Sequence, residues 1–141
     1  MMKVIDAKDL MSINSGSNGR YYRLKGTKIG FKTTRSLAKA KLEFVTLTQA
    51  SQRSRMIPKG YGLAKAFLDG KWQFGYLMDH IEGDEIPWER WLRMKNVIRS
   101  ALAKVGVYHN DWHYRNVLSK KTKKGNKYYV IDMDPYFVSV E

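Results

Sequence analysis

The stretch His109-Asn110-Asp111-Trp112-His113-Tyr114-Arg115-Asn116, followed sixteen residues later by Asp132, decides how this chain is read. Val117 to Lys121 and Tyr128 to Met133 carry the β-branched and aromatic residues of two strands, so they read as a hairpin with Asn116 at one foot and Asp132 at the other. Asp111, Asn116 and Asp132 are therefore expected on two neighbouring loops, and three oxygen-bearing groups so placed suit a hard cation. Between the two strands runs Lys120-Lys121-Thr122-Lys123-Lys124-Gly125-Asn126-Lys127, the densest basic run in the chain, which reads as a solvated hairpin loop.

Upstream of the loop, Pro87 suits the start of a helix, and Trp88, Trp91, Leu92, Lys95, Ile98, Leu102 and Val105 form a mostly apolar stripe ending at Gly106. Trp88 and Trp91 read as core residues of that helix. Before it, Tyr61 to Leu68 and Lys71 to His80 flank Asp69-Gly70, a dipeptide suited to the positive φ angles of a tight hairpin. Ser36 can cap a second helix, in which Leu37, Ala40, Phe44 and Leu47 recur at helical spacing as far as about Arg53. From Met11 to Thr33 the pattern is an antiparallel meander, with turns at a Gly-rich segment and at Lys25-Gly26-Thr27. Strands, helix, strands, helix and hairpin give an α+β chain.

Composition sets limits on this reading. The chain has 141 residues, 43% of them apolar, with four Trp, nine Tyr and five Phe, enough for one packed domain despite a negative mean hydropathy. It has no cysteine, which excludes disulfides and thiolate metal sites. Met1 to Asp6 lacks the apolar run of a signal peptide and no stretch is apolar for long enough to span a bilayer, so the expectation is a soluble, cytoplasmic protein without a membrane partner. A net charge of +13 attracts polyanions, and nucleotides, RNA, DNA or an acidic protein all fit that field.

Phosphoryl transfer requires a carboxylate beside the attacking hydroxyl and oxygen ligands that hold magnesium on the phosphates. Here the sequence resembles the protein-kinase-like superfamily, whose catalytic loop reads H-x-D-x-x-x-x-N and whose metal-binding Asp closes the next hairpin. The resemblance makes Asp111 the catalytic base and Asn116 and Asp132 the metal ligands. Gly16-Ser17-Asn18-Gly19-Arg20-Tyr21 is similar to the later part of a kinase Gly-rich loop, with Asn14 in the place of the first glycine. Lys32 matches the phosphate-binding lysine, Glu43 its ion-pair partner on the following helix. The run from Tyr76 to Ile86 resembles the hinge, with backbone from Asp79 to Ile81 facing adenine. These matches extend in order from about Ile13 to Met133.

The resemblance implies a bilobal fold: residues 1–80 as an N-lobe with a five-stranded antiparallel sheet and the Leu37 to Arg53 helix, and residues 81–141 as a strongly truncated helical C-lobe. ATP and Mg2+ are the implied cofactors, with ATP in the cleft. Asp134 stands for the glycine of D-F-G and Asn110 for the arginine before the catalytic Asp, as in atypical kinases such as the RIO group or in aminoglycoside phosphotransferases. No activation segment or A-P-E element follows Asp134, so a conventional protein-substrate groove is not expected. The acceptor stays open among a protein hydroxyl, a small molecule, RNA and the chain itself, where Ser119 and Thr122 lie in basic surroundings.

Other readings stand beside this one. Asp111, Asn116 and Asp132 can cap turns, Gly16 and Gly19 can serve only a hairpin, and Lys32 and Glu43 can be a surface charge pair. His109 and His113 read as structural hydrogen-bonders. A nuclease or phosphodiesterase would instead use His109, Asp111, His113, Asp132 and Asp134 around a transition metal. A pseudokinase-like module would bind a protein or nucleic acid through the basic surface without turnover.

Overall fold

The computed structural model of the chain describes residues 2–16 and 19–141, with the backbone alone for residues 14–16. It is a mixed α+β structure with two α-helices, and it divides into two compact units, residues 1–45 with 59–80 and residues 46–58 with 81–141.

The first unit is built on a six-stranded sheet in the order β1-β5-β6-β4-β3-β2. Its strands are β1 (Lys3–Ile5), β2 (Leu10–Gly16), β3 (Gly19–Leu24), β4 (Ile29–Thr34), β5 (Gly60–Leu68) and β6 (Lys71–Asp79). The meander β2-β3-β4 follows the turn signals. So does the β5-β6 hairpin, where Asp69 and Gly70 take φ of 53° and 77°, the left-handed pair that matches strand twist. Helix α1 (Leu37–Arg53) begins beyond Ser36, whose hydroxyl accepts from the Lys39 N–H at 3.1 Å, and its first turns belong to this unit.

The expected five-stranded antiparallel sheet is corrected to six strands by β1, which pairs in parallel with β5, Lys3 opposite Ala64 and Ile5 opposite Ala66. A three-residue strand joined to its partner by no local turn leaves no periodic signal. Its place is set by Ile5, which enters the core, and by cover for the open edge of β5. That core lies on one face of the sheet, from Ile5, Leu10, Tyr22, Phe31, Ala64, Ala66 and Leu77. Because side chains alternate along a strand, Lys32 and Tyr76 turn to the other face, where they meet α1.

The second unit takes the last turns of α1 and then helix α2 (Trp88–Ala103), with strands β7 (Asp84–Glu85), β8 (Val107–His109), β9 (Val117–Thr122), β10 (Gly125–Val130) and β11 (Val138–Val140). They form a sheet ordered β10-β9-β7 and a pair β11-β8. The buried stripe of α2 is narrower than its sequence suggested: Trp91, Ile98 and Leu102 are buried, whereas Trp88 is 58% exposed. Trp88 is the first helical residue, beyond the packed part of the helix, and sets its ring edge-on to Tyr114 at 5.7 Å. Leu92 sits 100° around from Trp91 and faces outward.

A second correction concerns the basic run. It is not a loop: β9 and β10 continue through it, Lys121 opposite Asn126 and Lys120 opposite Lys127, leaving only Lys123-Lys124 as the turn. The Thr122 hydroxyl makes this turn without the usual Asn-Gly, donating to the Gly125 carbonyl at 2.7 Å and accepting from the Lys124 N–H at 3.2 Å. Strand β7, inside the expected hinge run, pairs with β9 through Asp84 and Ser119 and through Glu85 and Leu118. Among the described residues no helix is long and apolar enough to cross a membrane.

Candidate functional site

In the first unit the sheet brings Lys32 and Tyr76 side by side as cross-strand partners of β4 and β6. Both reach the carboxylate of Glu43 on α1. Lys32 Nζ pairs with Glu43 Oε1, and the Tyr76 hydroxyl donates to the same oxygen at 2.6 Å. Glu43 is wholly buried and the Lys32 side chain is 19% exposed, so this is an interior ion pair rather than a surface one. Burying a carboxylate is costly unless charge and hydrogen bonds offset it, and here one oxygen receives both. The other, Oε2, has no hydrogen-bond partner among the described residues. Gly75 matters to this register: a Cβ there would lie 1.9 Å from the Lys32 carbonyl oxygen, so a larger residue would push β6 off β4.

Gly16 and Gly19 are cross-strand partners at the end of β2-β3, while Ser17 and Asn18 lie outside the described residues. Gly19 has φ of 140°, and a Cβ on it would stand 1.9 Å from the Thr33 carbonyl oxygen. The close approach of β3 to β4 thus already requires glycine there. Asp79 donates its N–H to the Lys59 carbonyl at 2.9 Å, and its carboxylate accepts from the Lys59 N–H and the Tyr61 hydroxyl. The latter bond raises the Tyr61 pKa. The His80 N–H is likewise used, on the Lys28 carbonyl at 2.9 Å. The His80 ring stacks on Tyr21, whose hydroxyl lies 2.8 Å from His80 Nδ1 and is pushed above its ordinary range by burial. Ile81 is half-buried.

In the second unit His109 is the hub. It is 1% exposed at the end of β8, its Nδ1 accepts from the Asp111 N–H at 3.2 Å, and its Nε2 meets the Asp132 carbonyl at 3.1 Å. One nitrogen must accept while the other donates, which selects the neutral imidazole with its proton on Nε2. Burial agrees, holding the His109 pKa below its ordinary value. The ring fastens the Asp111 loop to the segment after β10. Asn116 adds a second tie: its Nδ2 donates to the Asp111 carbonyl at 2.6 Å and its own carbonyl accepts from the Ile131 N–H at 2.9 Å. A third comes from Trp112, whose Nε1 donates to the Lys95 carbonyl at 2.9 Å and whose ring packs against Trp91 and His109.

The carboxylates differ in surroundings. The Asp111 side chain is 42% exposed, with Oδ2 at 3.5 Å from His113 Nε2. Asp132 Oδ1 accepts from the Asp134 N–H at 3.1 Å, and the buried Asp134 caps the next turn by accepting from the Tyr136 N–H at 3.0 Å. Asn116 Nδ2 faces the Asp111 carbonyl, so among the described residues the amide Oδ1 of Asn116 and the carboxylate Oδ2 of Asp132 are the atoms left for another partner. Amide and carboxylate oxygens are the donor type that magnesium accepts, beside several waters and phosphate oxygens. A transition-metal centre fits less well. Both ring nitrogens of His109 are engaged with backbone, and no three His, Asp or Glu residues cluster as metal ligands among the described residues.

Tyr76 and Trp112 are the site neighbours that sequence reading did not single out. Strand alternation offers a signal for Tyr76, which must share a face with Lys32 once β4 and β6 are paired; nothing in the sequence announces the Trp112 bond to mid-helix Lys95. Compared with protein-family models the chain matches none, and no curated protein matches it.

Proposed function

We propose that the chain is an ATP- and magnesium-dependent phosphotransferase of the protein-kinase-like class, its first unit a small nucleotide-handling lobe and its second a strongly truncated catalytic lobe. The observation that supports this reading is the frame made by His109 and Asn116, which ties the Asp111, Asn116 and Asp132 segments together through backbone groups while the Asp111 carboxylate stays partly exposed. Asp111, partly exposed, accepts the proton of an attacking hydroxyl or orients it. Asn116 and Asp132 would hold magnesium, which when bound would neutralise charge on the phosphates. Lys32, aimed by Glu43 and Tyr76, supplies positive charge to the phosphates, and backbone near Gly16 and Gly19, at the end of β2-β3, covers them. The acceptor is a hydroxyl of a protein, a small molecule, RNA or the chain itself; with water in its place the reaction is slow ATP hydrolysis.

The test is incubation with γ-labelled ATP and magnesium, alone and with candidate acceptors, beside Asp111→Ala and Asp132→Ala. Label transfer or phosphate release that both substitutions remove is the expected result. Turnover that survives both, in folded protein, overturns the assignment. A pseudokinase-like binding module is the second reading, favoured by the exposed lysines of β9-β10, none of which makes an ion pair among the described residues; it is the outcome if nucleotide binds and no phosphate moves.

A further inference from the structure

The β9-β10 ribbon carries a feature that neither folding nor phosphoryl transfer explains. Lys120 stands directly opposite Lys127, an arrangement of like charges that destabilises a strand pair. Lys121 points to the opposite face beside Asn126, and Lys123 and Lys124 form the turn. All five are exposed, and among the described residues none makes an ion pair. The acids of β7 do not help, because Asp84 and Glu85 pair with Ser119 and Leu118 and stop one residue short of the first lysine. An open depression of about 480 Å³ at the tip is lined by Thr122, Lys123, Lys124, Asn126 and Lys127.

We propose that this ribbon is a nucleic-acid-binding arm that grips the phosphate backbone of a duplex. Three observations favour that partner. Residues 120–127 contain no apolar side chain, and the nearby Tyr129 ring is half-buried with Lys127 Nζ over it at 5.3 Å, so the exposed arm presents charge rather than an aromatic or aliphatic anchor for a protein interface or a bilayer. A two-stranded ribbon has the width that the major groove of B-form DNA admits, and lysines on both faces and at the turn meet phosphates on both walls. The base of the ribbon is also rigid, with Val117 and Val130 wholly buried and the Val130 N–H bonded to the Met56 carbonyl at 2.8 Å. Contacts are to phosphate, so binding is strong at low salt and indifferent to sequence.

Binding of a fluorescent 20-base-pair duplex, followed by anisotropy across a salt series, tests the arm independently of any kinase activity. Five phosphate contacts give a slope of log K against log salt of about −4.5. Replacing all five lysines by Gln should remove most of that slope and weaken binding at least tenfold, roughly the loss expected from so many phosphate contacts. The control replaces Lys3, Lys25, Lys28, Lys41 and Lys71, equally exposed and equal in charge, and should leave the slope nearly intact. The Lys123→Gln, Lys124→Gln double variant, confined to the turn, gives about 1.8 of the slope back if the larger variant fails to fold. Equal losses from ribbon and control variants overturn the proposal. So does displacement of the duplex by polyglutamate or phosphatidylserine vesicles at matched charge, which would assign the arm to an acidic protein or a membrane surface.

Discussion

The Lys32-Glu43-Tyr76 cluster and the Asp111-Asn116-Asp132 frame are held by different means. The first sits on regular structure: two adjacent strands and a helix fix three side chains, and the polar contacts are between side chains. The second sits on loops, where backbone N–H and C=O groups of Asp111 and Asp132 are captured by His109 and Asn116. A cluster built on packed elements is sensitive to removal of charge, because nothing else solvates the buried partner. A frame built on loop hydrogen bonds leaves the Asp111 and Asp132 side chains partly exposed and depends on one ring staying in one protonation state.

Substitutions can break this comparison in order of size. On the proposed phosphotransferase reading, Asp111→Asn keeps shape and removes the proposed base, and turnover should fall by about 10²–10⁴-fold while nucleotide binding, read by fluorescence, persists. Lys32→Met leaves the Glu43 carboxylate buried without its cation, and urea unfolding should show a loss of about 3–5 kcal/mol. A loss near zero would mean that the cluster is soft. Tyr76→Phe removes one hydrogen bond to the same charged oxygen, with an expected loss of about 1.5–3 kcal/mol.

The fourth test is specific to the frame. Burial lowers the His109 pKa, against the raising effects of Asp132 and Asp111, while His113 adds to the lowering. The unfolded chain therefore takes up this proton near 6.5, the ordinary value, and the folded chain only at lower pH. Stability from the neutral ring is full above that value and is lost as pH falls below it. Urea midpoints measured from pH 7.5 down to 5 should decline, and His109→Gln should flatten that decline. The smallest effect is expected from Trp88→Ala, which removes one edge-on contact with Tyr114 at an exposed position and should cost about 0.5–1.5 kcal/mol in thermal unfolding.

The parts of the fold legible in advance are those encoded locally. Asp69-Gly70 announces its hairpin because few dipeptides accept two positive φ angles. Leu37 to Arg53 announces a helix through its spacing. Parts fixed by distant partners were not legible. Strand β1 exists because β5 has an open edge, and Trp88 is exposed because the packed stripe of α2 begins one turn later. The basic run has the charge of a solvated loop, whereas the Thr122 hydroxyl closes a two-residue turn and lets both strands extend into it.

Residue identity settles which groups are on offer: oxygen-bearing side chains at Asp111, Asn116 and Asp132, a lysine and a glutamate at Lys32 and Glu43, and five lysines between Lys120 and Lys127. Tertiary structure alone decided that Glu43 is wholly buried with Tyr76 on the same oxygen as Lys32, that His109 is neutral, and that the lysines line a ribbon rather than a loop. The physical reason is that residue type fixes charge and hydrogen-bonding capacity, while burial, tautomer and cross-strand register depend on what the rest of the chain brings alongside.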